Sequence, residues 1–255
     1  EEWQKAVRPN SKLLYIETPT NPGVELIDLE WAAKFAKENG LIFIVDNCFT
    51  TPYLQQPMHF GADLVIHSAT KFIDGQGRVL GGATVGHKNL IDEIYAFSRS
   101  TGPALSPFNA WILSKSLETL AVRMDRHSEN ALKIAEYLSE DDQVEWVKYP
   151  FLKSHPQYEI AKKQMKAGGG VLAFGIKGGS KSGQRFLDAI KMCTLTANLG
   201  DTRTIVSHPY STTHAKLSEE EKEKVGISPE LVRISVGLEH VDDILSDLKQ
   251  ALQSI

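Results

Sequence analysis

Apolar residues fall along this chain in short unbroken runs, divided by turn-forming residues and by stretches with helical spacing. Leu13-Leu14-Tyr15-Ile16 is the first run, closed by Glu17-Thr18-Pro19-Thr20-Asn21-Pro22-Gly23. A helix is predicted over Leu29–Glu38: Asp28 can cap it, Trp31, Ala32 and Phe35 share a face, and Gly40 stops it. Residues 41–45 are apolar throughout and run into Asp46, the pattern of a parallel strand buried on both faces. Residues 64–66 and 83–85 repeat it, and a helix over about 90–99 follows. Strands alternating with helices predict a layered α/β domain.

Pro107 opens the longest helical pattern, which passes through Trp111, Leu113, Leu117, Leu120, Met124, Leu132 and Tyr137. The charged stretch 123–129 inside it is the expected border between two domains, residues 1–128 and 129–255. Beyond it, 144–149, 170–176, 193–197 and 232–236 read as strands, with helices near 157–166, 181–189, 218–224 and 241–252. This half reads as a smaller α+β domain. Gly168-Gly169-Gly170 opens a strand and no helix follows, so it is a turn rather than a phosphate loop. An α/β domain whose first strand comes this early leaves that strand few partners, so the chain is expected to begin partway through a domain.

Composition narrows the function classes. The 255 residues are 42% hydrophobic and 24% charged, with a formal net charge of -4, enough for one large or two modest globular domains. Lys and Arg are scattered, which gives no nucleic-acid footprint. No apolar run reaches membrane-spanning length and no signal peptide follows Glu1. Cys48 and Cys193 do not make a disulfide framework, which fits a reducing cytoplasm.

The candidate chemistry centres on Asp63-Leu64-Val65-Ile66-His67-Ser68-Ala69-Thr70-Lys71-Phe72-Ile73-Asp74-Gly75-Gln76-Gly77. A lysine at the end of a buried strand loses proton affinity through desolvation, as a Schiff-base nucleophile requires. Ser68 and Thr70, read as one side of an extended segment, could bind one anionic group beside the amine. Asp46 ends an apolar strand, and such carboxylates line the crevice where α/β sheets bind ligands. Arg233 alternates with apolar neighbours in Val232-Arg233-Ile234-Ser235-Val236-Gly237-Leu238-Glu239. An inward guanidinium there must be paired and suits a carboxylate held bidentately. His208 and His214, with no carboxylate or cysteine flanking them, do not make a metal site; their loop reads as shaping a pocket. Cys48 reads as a small buried hydrophobe.

The stretch around Lys71 resembles the lysine signature of the pyridoxal-phosphate-dependent enzymes of Cys/Met metabolism: cystathionine synthases and lyases, methionine γ-lyases and homoserine-ester sulfhydrylases. Val45-Asp46-Asn47, 25 positions before Lys71, and Glu17-Thr18-Pro19-Thr20-Asn21-Pro22 are similar to further family motifs, as is the Arg-x-Ser-x-Gly-x-Glu of Arg233. The resemblance implies the large domain of a type I, aspartate-aminotransferase-like fold, followed by the smaller domain. It implies that Lys71 carries pyridoxal 5'-phosphate and acts as base, that Asp46 keeps the pyridine nitrogen protonated and that Asn21 bonds the phenolic oxygen. By the same resemblance Ser68 and Thr70 hold the phosphate, and Arg233 holds the substrate carboxylate. Ala197-Asn198-Leu199-Gly200-Asp201-Thr202 carries Asn198 where many relatives have serine, a departure shared with the sulfhydrylase branch. That branch implies γ-replacement on O-succinylhomoserine by sulfide. The O-acetyl ester, cystathionine γ-synthase or γ-lyase activity, a non-catalytic interaction domain and a cofactor-free Schiff-base aldolase stand as alternatives. The family also implies a homotetramer, a dimer of dimers with shared sites, and further site residues from a segment upstream of these.

Overall fold

The computed structural model describes residues 2–212 and 215–255. Two sheets organise them. The first joins β1 (Leu13–Glu17), β2 (Ile42–Asp46), β3 (Leu64–Ser68) and β4 (Gly82–Gly86) in that order. β1, β2 and β3 are parallel, as the alternation of runs and helices predicts. β4 is antiparallel to β3, which corrects the expectation that it continues the parallel pattern. No helix separates those two strands, only the Lys71 turn, and a parallel return needs a longer crossover.

Burial on both faces also fails for this sheet. Phe43 and Val45 are buried at 1% and 0% exposure, packed with Leu29, Ala32 and Ala36 of the helix Leu29–Glu38. Their strand neighbour Ile42 is 37% exposed, and Tyr15 on β1 is 50% exposed. Among the described residues a helix covers only one face. The helix itself follows the sequence: the Asp28 carboxylate accepts from the Trp31 amide at 3.1 Å, and Gly40 takes a left-handed φ of 64° just past its end.

The second sheet uses β5 (Val144–Lys148), β6 (Val171–Ile176), β7 (Thr194–Leu195), β8 (Ile205–Ser207) and β9 (Leu231–Ser235), in the spatial order β5-β6-β9-β8-β7. β7 and β8 pair in parallel and the other neighbours are antiparallel. The expected strand over 193–197 is only two residues long, and β8 is not foreseen from the sequence because three residues show no periodicity. Every residue of β6 and β9 is buried. Leu172, Phe174, Val232 and Ile234 pack with Ala131, Phe186, Ile244 and Leu248 on one side. Val171 and Ala173 pack on the other with Phe72, Met124 and Leu199.

The long helical pattern is two helices, Pro107–Leu117 and Leu120–Glu140. At the break the Thr119 hydroxyl donates to the Ser116 carbonyl and accepts from Arg123 Nε, local bonds that compete with helix continuation. Positions 128 and 129 both lie inside Leu120–Glu140.

Candidate active site

The site forms where the carboxyl ends of β1, β2 and β3 meet the inner face of the second sheet. β3 ends at Ser68, and the chain turns at once: the Lys71 amide donates to the Ser68 carbonyl at 3.1 Å, and the Asp74 amide to Ala69 at 2.8 Å. Thr70 therefore lies in the turn, not on an extended segment beside Ser68. Its hydroxyl donates to the Gly81 carbonyl at 3.2 Å and accepts from the Gly81 amide at 3.1 Å, tying the lysine turn to the approach of β4. Asp74, with no exposed surface, accepts from the amide and Nε of Arg78 and pins the far side of the turn.

Lys71 is half-buried, and its Nζ donates to Asn198 Oδ1 at 2.5 Å. Burial, and then the positive charge of Arg233, hold its proton affinity below that of an ordinary lysine. Gly200 makes the approach possible: with φ 76°, an added Cβ would stand 2.7 Å from the Phe72 nitrogen and 2.9 Å from the Lys71 carbonyl carbon. Asn198 also accepts from Arg233 Nη2 at 3.0 Å through its backbone carbonyl.

Arg233 is 4% exposed. Nη2 also donates to the Ala197 carbonyl at 3.2 Å, Nη1 donates to Asn21 Oδ1 at 2.9 Å, and Nε is buried without a partner among the described residues. Burial lowers its proton affinity, to a pKa of about 10, against the pull of Glu17. Lys71, Asn198, Arg233 and Asn21 are thus one hydrogen-bonded line across the cleft. The rest of the arginine motif is structural. Ser235 Oγ accepts from the Gly200 amide at 2.8 Å, and the Glu239 carboxylate accepts from the Thr204 amide and hydroxyl. A Cβ on Gly237 would collide with that carboxylate.

Asp46 closes β2 beside this line. Its oxygens accept from the Tyr15 hydroxyl at 3.2 Å and the Cys48 amide at 3.1 Å. Burial, then the Asp46 charge, push the Tyr15 phenol up to about 12. Glu17, the register partner of Asp46 across β1 and β2, is a site carboxyl that sequence reasoning passes over although its motif begins with it. Burial raises Glu17 to about 7, partly opposed by the Asn21 amide donating to it at 3.3 Å. Cys48 Sγ accepts from the Ser68 amide at 2.8 Å, and burial pushes its thiol up to about 12, so it stays protonated and packs.

His208 is buried and locked as a neutral ring: Nε2 donates to the Pro229 carbonyl and the Ser211 hydroxyl donates to Nδ1, both at 2.8 Å. Its loop, residues 195–197 and Gln184, Leu187 and Asp188 of the helix Gly179–Ala189 line a cavity of about 360 Å³. His214 lies outside the described residues. Among the described residues no cluster of His, Cys, Asp or Glu could hold a metal, and no helix is long and apolar enough to cross a membrane.

The donor set fits pyridoxal phosphate. It offers an amine of lowered proton affinity, a carboxylate for a ring nitrogen, an amide for a phenolic oxygen and the Ser68 hydroxyl for a phosphate.

Comparison with known proteins points to the same cofactor. The family model described as Cys/Met metabolism PLP-dependent enzyme matches residues 1–253. An O-succinylhomoserine sulfhydrylase of Pseudomonas aeruginosa is 47% identical, over 99% of this chain and 63% of its own length. An L-methionine gamma-lyase of Fusobacterium nucleatum is 44% identical, over all of this chain and 65% of its own. The crystal structure of cystathionine gamma-lyase from Lactobacillus plantarum, complexed with L-serine, superposes with a TM-score of 0.94 at 35% identity, over 99% of this chain and 66% of that one. This chain therefore spans just under two thirds of the length of these relatives, and it belongs to the pyridoxal-phosphate-dependent enzymes of Cys/Met metabolism.

Proposed function

We propose that the protein carrying this chain catalyses γ-replacement: O-succinylhomoserine and sulfide give homocysteine and succinate. The Cγ–O bond to succinate breaks and a Cγ–S bond forms, so no oxidant or reductant is needed. The single observation that carries this reading is the Lys71–Asn198–Arg233 line, which sets a base of lowered proton affinity beside a buried carboxylate-binding guanidinium. Asn198, the residue that marks the sulfhydrylase branch, is the one that holds Lys71 Nζ.

Lys71, Asp46, Asn21 and Ser68 would hold the cofactor, while Thr70, whose hydroxyl proton goes to the Gly81 carbonyl, would brace the lysine turn. When bound, pyridoxal phosphate supplies an electron sink that makes the substrate's Cα and Cβ protons acidic. Arg233 binds the α-carboxylate, which fixes Cα and Cβ against Lys71. Lys71 moves protons at those two carbons, a task that suits an amine whose proton affinity burial has lowered. Asn198 aims that amine through its side-chain oxygen. Asp46 holds a proton on the ring nitrogen. The 208–212 loop shapes the room for the ester chain.

Methionine γ-lyase is the second reading, because relatives of that name reach 44–45% identity over the full chain. The test incubates the intact protein and pyridoxal phosphate with O-succinylhomoserine, O-acetylhomoserine or L-methionine, with and without sulfide, and identifies products by mass. Homocysteine from the succinyl ester, dependent on sulfide, is the expected result. Methanethiol and 2-oxobutyrate from methionine at a higher rate would replace it with the lyase reading.

A further inference from the structure

One face of the helix Leu120–Glu140 is polar where a core helix is ordinarily apolar. Arg123, His127 and Asn130 follow one another at spacings of four and three, so they lie on one stripe, and all three are at most 5% exposed. None of the three belongs to the site described above.

Their contacts divide cleanly. Arg123 Nη1 donates to the Phe72 carbonyl at 2.6 Å, and Nη2 to the carbonyls of Ile73 at 3.0 Å and Ser116 at 2.9 Å. Phe72 and Ile73 are the two residues after Lys71. Gly75, in the same turn, has no room for a side chain, since a Cβ would collide with Arg123 Nη1. At the other end of the stripe, Asn130 Nδ2 donates to the carbonyls of Gly237 and Glu239, both at 3.0 Å. Those residues follow β9, which carries Arg233. His127 stands between: Nδ1 donates to the Val236 carbonyl at 2.6 Å, and its ring meets Phe72 edge to face at 5.1 Å. A buried guanidinium whose bonds all go to uncharged oxygens is a costly choice for simple filling. A planar fork is, however, the one side chain that can hold the carbonyls of successive residues at once.

We propose that this helix is the frame that sets Lys71 against Arg233, with Arg123 a positioning residue for Lys71, Asn130 one for Arg233, and His127 the link between them. Arg123 holds the lysine turn through the carbonyls of Phe72 and Ile73, and His127 and Asn130 hold the segment after the arginine strand through those of 236, 237 and 239. Loosening one end therefore disturbs proton transfer, and loosening the other disturbs carboxylate binding.

The inference rests on the functional reading above, and its test separates the two. Arg123→Lys, Arg123→Met and Asn130→Ser are made in the intact holoenzyme. Each is assayed for kcat and KM with O-succinylhomoserine and sulfide, and the pH midpoint of the cofactor's visible absorbance is measured without substrate. Arg123→Lys is expected to lower kcat at least tenfold, to leave KM within about twofold and to move the absorbance midpoint, with Arg123→Met more severe. Asn130→Ser is expected to raise KM at least fivefold while kcat and the midpoint stay near those of the parent. Should Arg123→Met fail to fold, the lysine variant and Asn130→Ser decide alone. Equal losses in kcat and KM at both positions, with an unmoved midpoint, would reduce the stripe to ordinary packing and overturn the proposal. If the parent turns over no homoserine ester, the functional reading falls. The frame is then judged by the midpoint, which must move for Arg123→Lys and not for Asn130→Ser.

Discussion

The two sheets reverse what their strand directions suggest. The parallel strands β1 and β2 keep an open face, with Ile42 37% and Tyr15 50% exposed, whereas the largely antiparallel β6 and β9 are buried along their whole length. The proposed chemistry follows the difference. The open face of the first sheet carries Glu17, Asp46 and Ser68 at its strand ends, where a ligand can reach them. The buried sheet contributes a single charged side chain, Arg233, already desolvated and therefore strong toward one anionic partner. One sheet supplies access and the other supplies a low dielectric.

The sharpest way to break that contrast is Lys71→Ala. It is expected to lower kcat by roughly a hundred- to ten-thousand-fold while the thermal midpoint barely moves, because Lys71 makes one side-chain bond and is only half-buried. A variant that retained turnover would remove Lys71 from the chemistry. In the second sheet the effect inverts: Phe174→Ala, fully buried against Phe186, should cost about 3–5 kcal/mol in a denaturant titration. A loss under about 1 kcal/mol would mean that the sheet is not a rigid partner to the first.

Glu17 offers a pH test. Its folded pKa of about 7 lies above its ordinary value of 4.5, so between those limits the folded protein holds a proton that the unfolded chain has released. Stability should therefore fall as pH rises through that window. Glu17→Gln should flatten this part of the profile of melting temperature against pH, and an unchanged slope would place the titration elsewhere. The smallest effect is expected from Tyr15→Phe, which takes one donor from Asp46 on the open face: about 0.5–1.5 kcal/mol in stability. A loss as large as that of Phe174→Ala would show that the two faces are not energetically distinct.

Much of this architecture is legible in the amino-acid sequence alone. The apolar runs mark β1, β2 and β3 because each is short, β-rich and bounded by turn residues, and the Asp28 cap and Gly40 bound the helix Leu29–Glu38. Lys71, Asp46, Asn21 and Arg233 stand in motifs dense enough to be read residue by residue. The open face is hidden because periodicity reports what a strand could bury, not what is available to cover it. Arg123, His127 and Asn130 are hidden for the opposite reason: charge in a helix reads as solvated, and the stretch 123–129 therefore resembles a border. The usable signal is spacing, since those three positions share a stripe with Leu120, Met124 and Ala131 and so face the core. The break at Thr119 and the short β8 depend on side-chain bonds and sheet edges that no local pattern records.

The close approach of Gly200 to the lysine backbone has a consequence for engineering. A mutant library aimed at specificity can vary position 198, whose side chain ends in the cleft, although each change there also alters the bond to Lys71. Position 200 must stay fixed, since every other residue there would drive the loop off Lys71 before any selection for substrate began. The segment 197–202 thus holds one evolvable position two residues away from a frozen one, and randomising it as a block would discard nearly every clone for reasons unrelated to specificity.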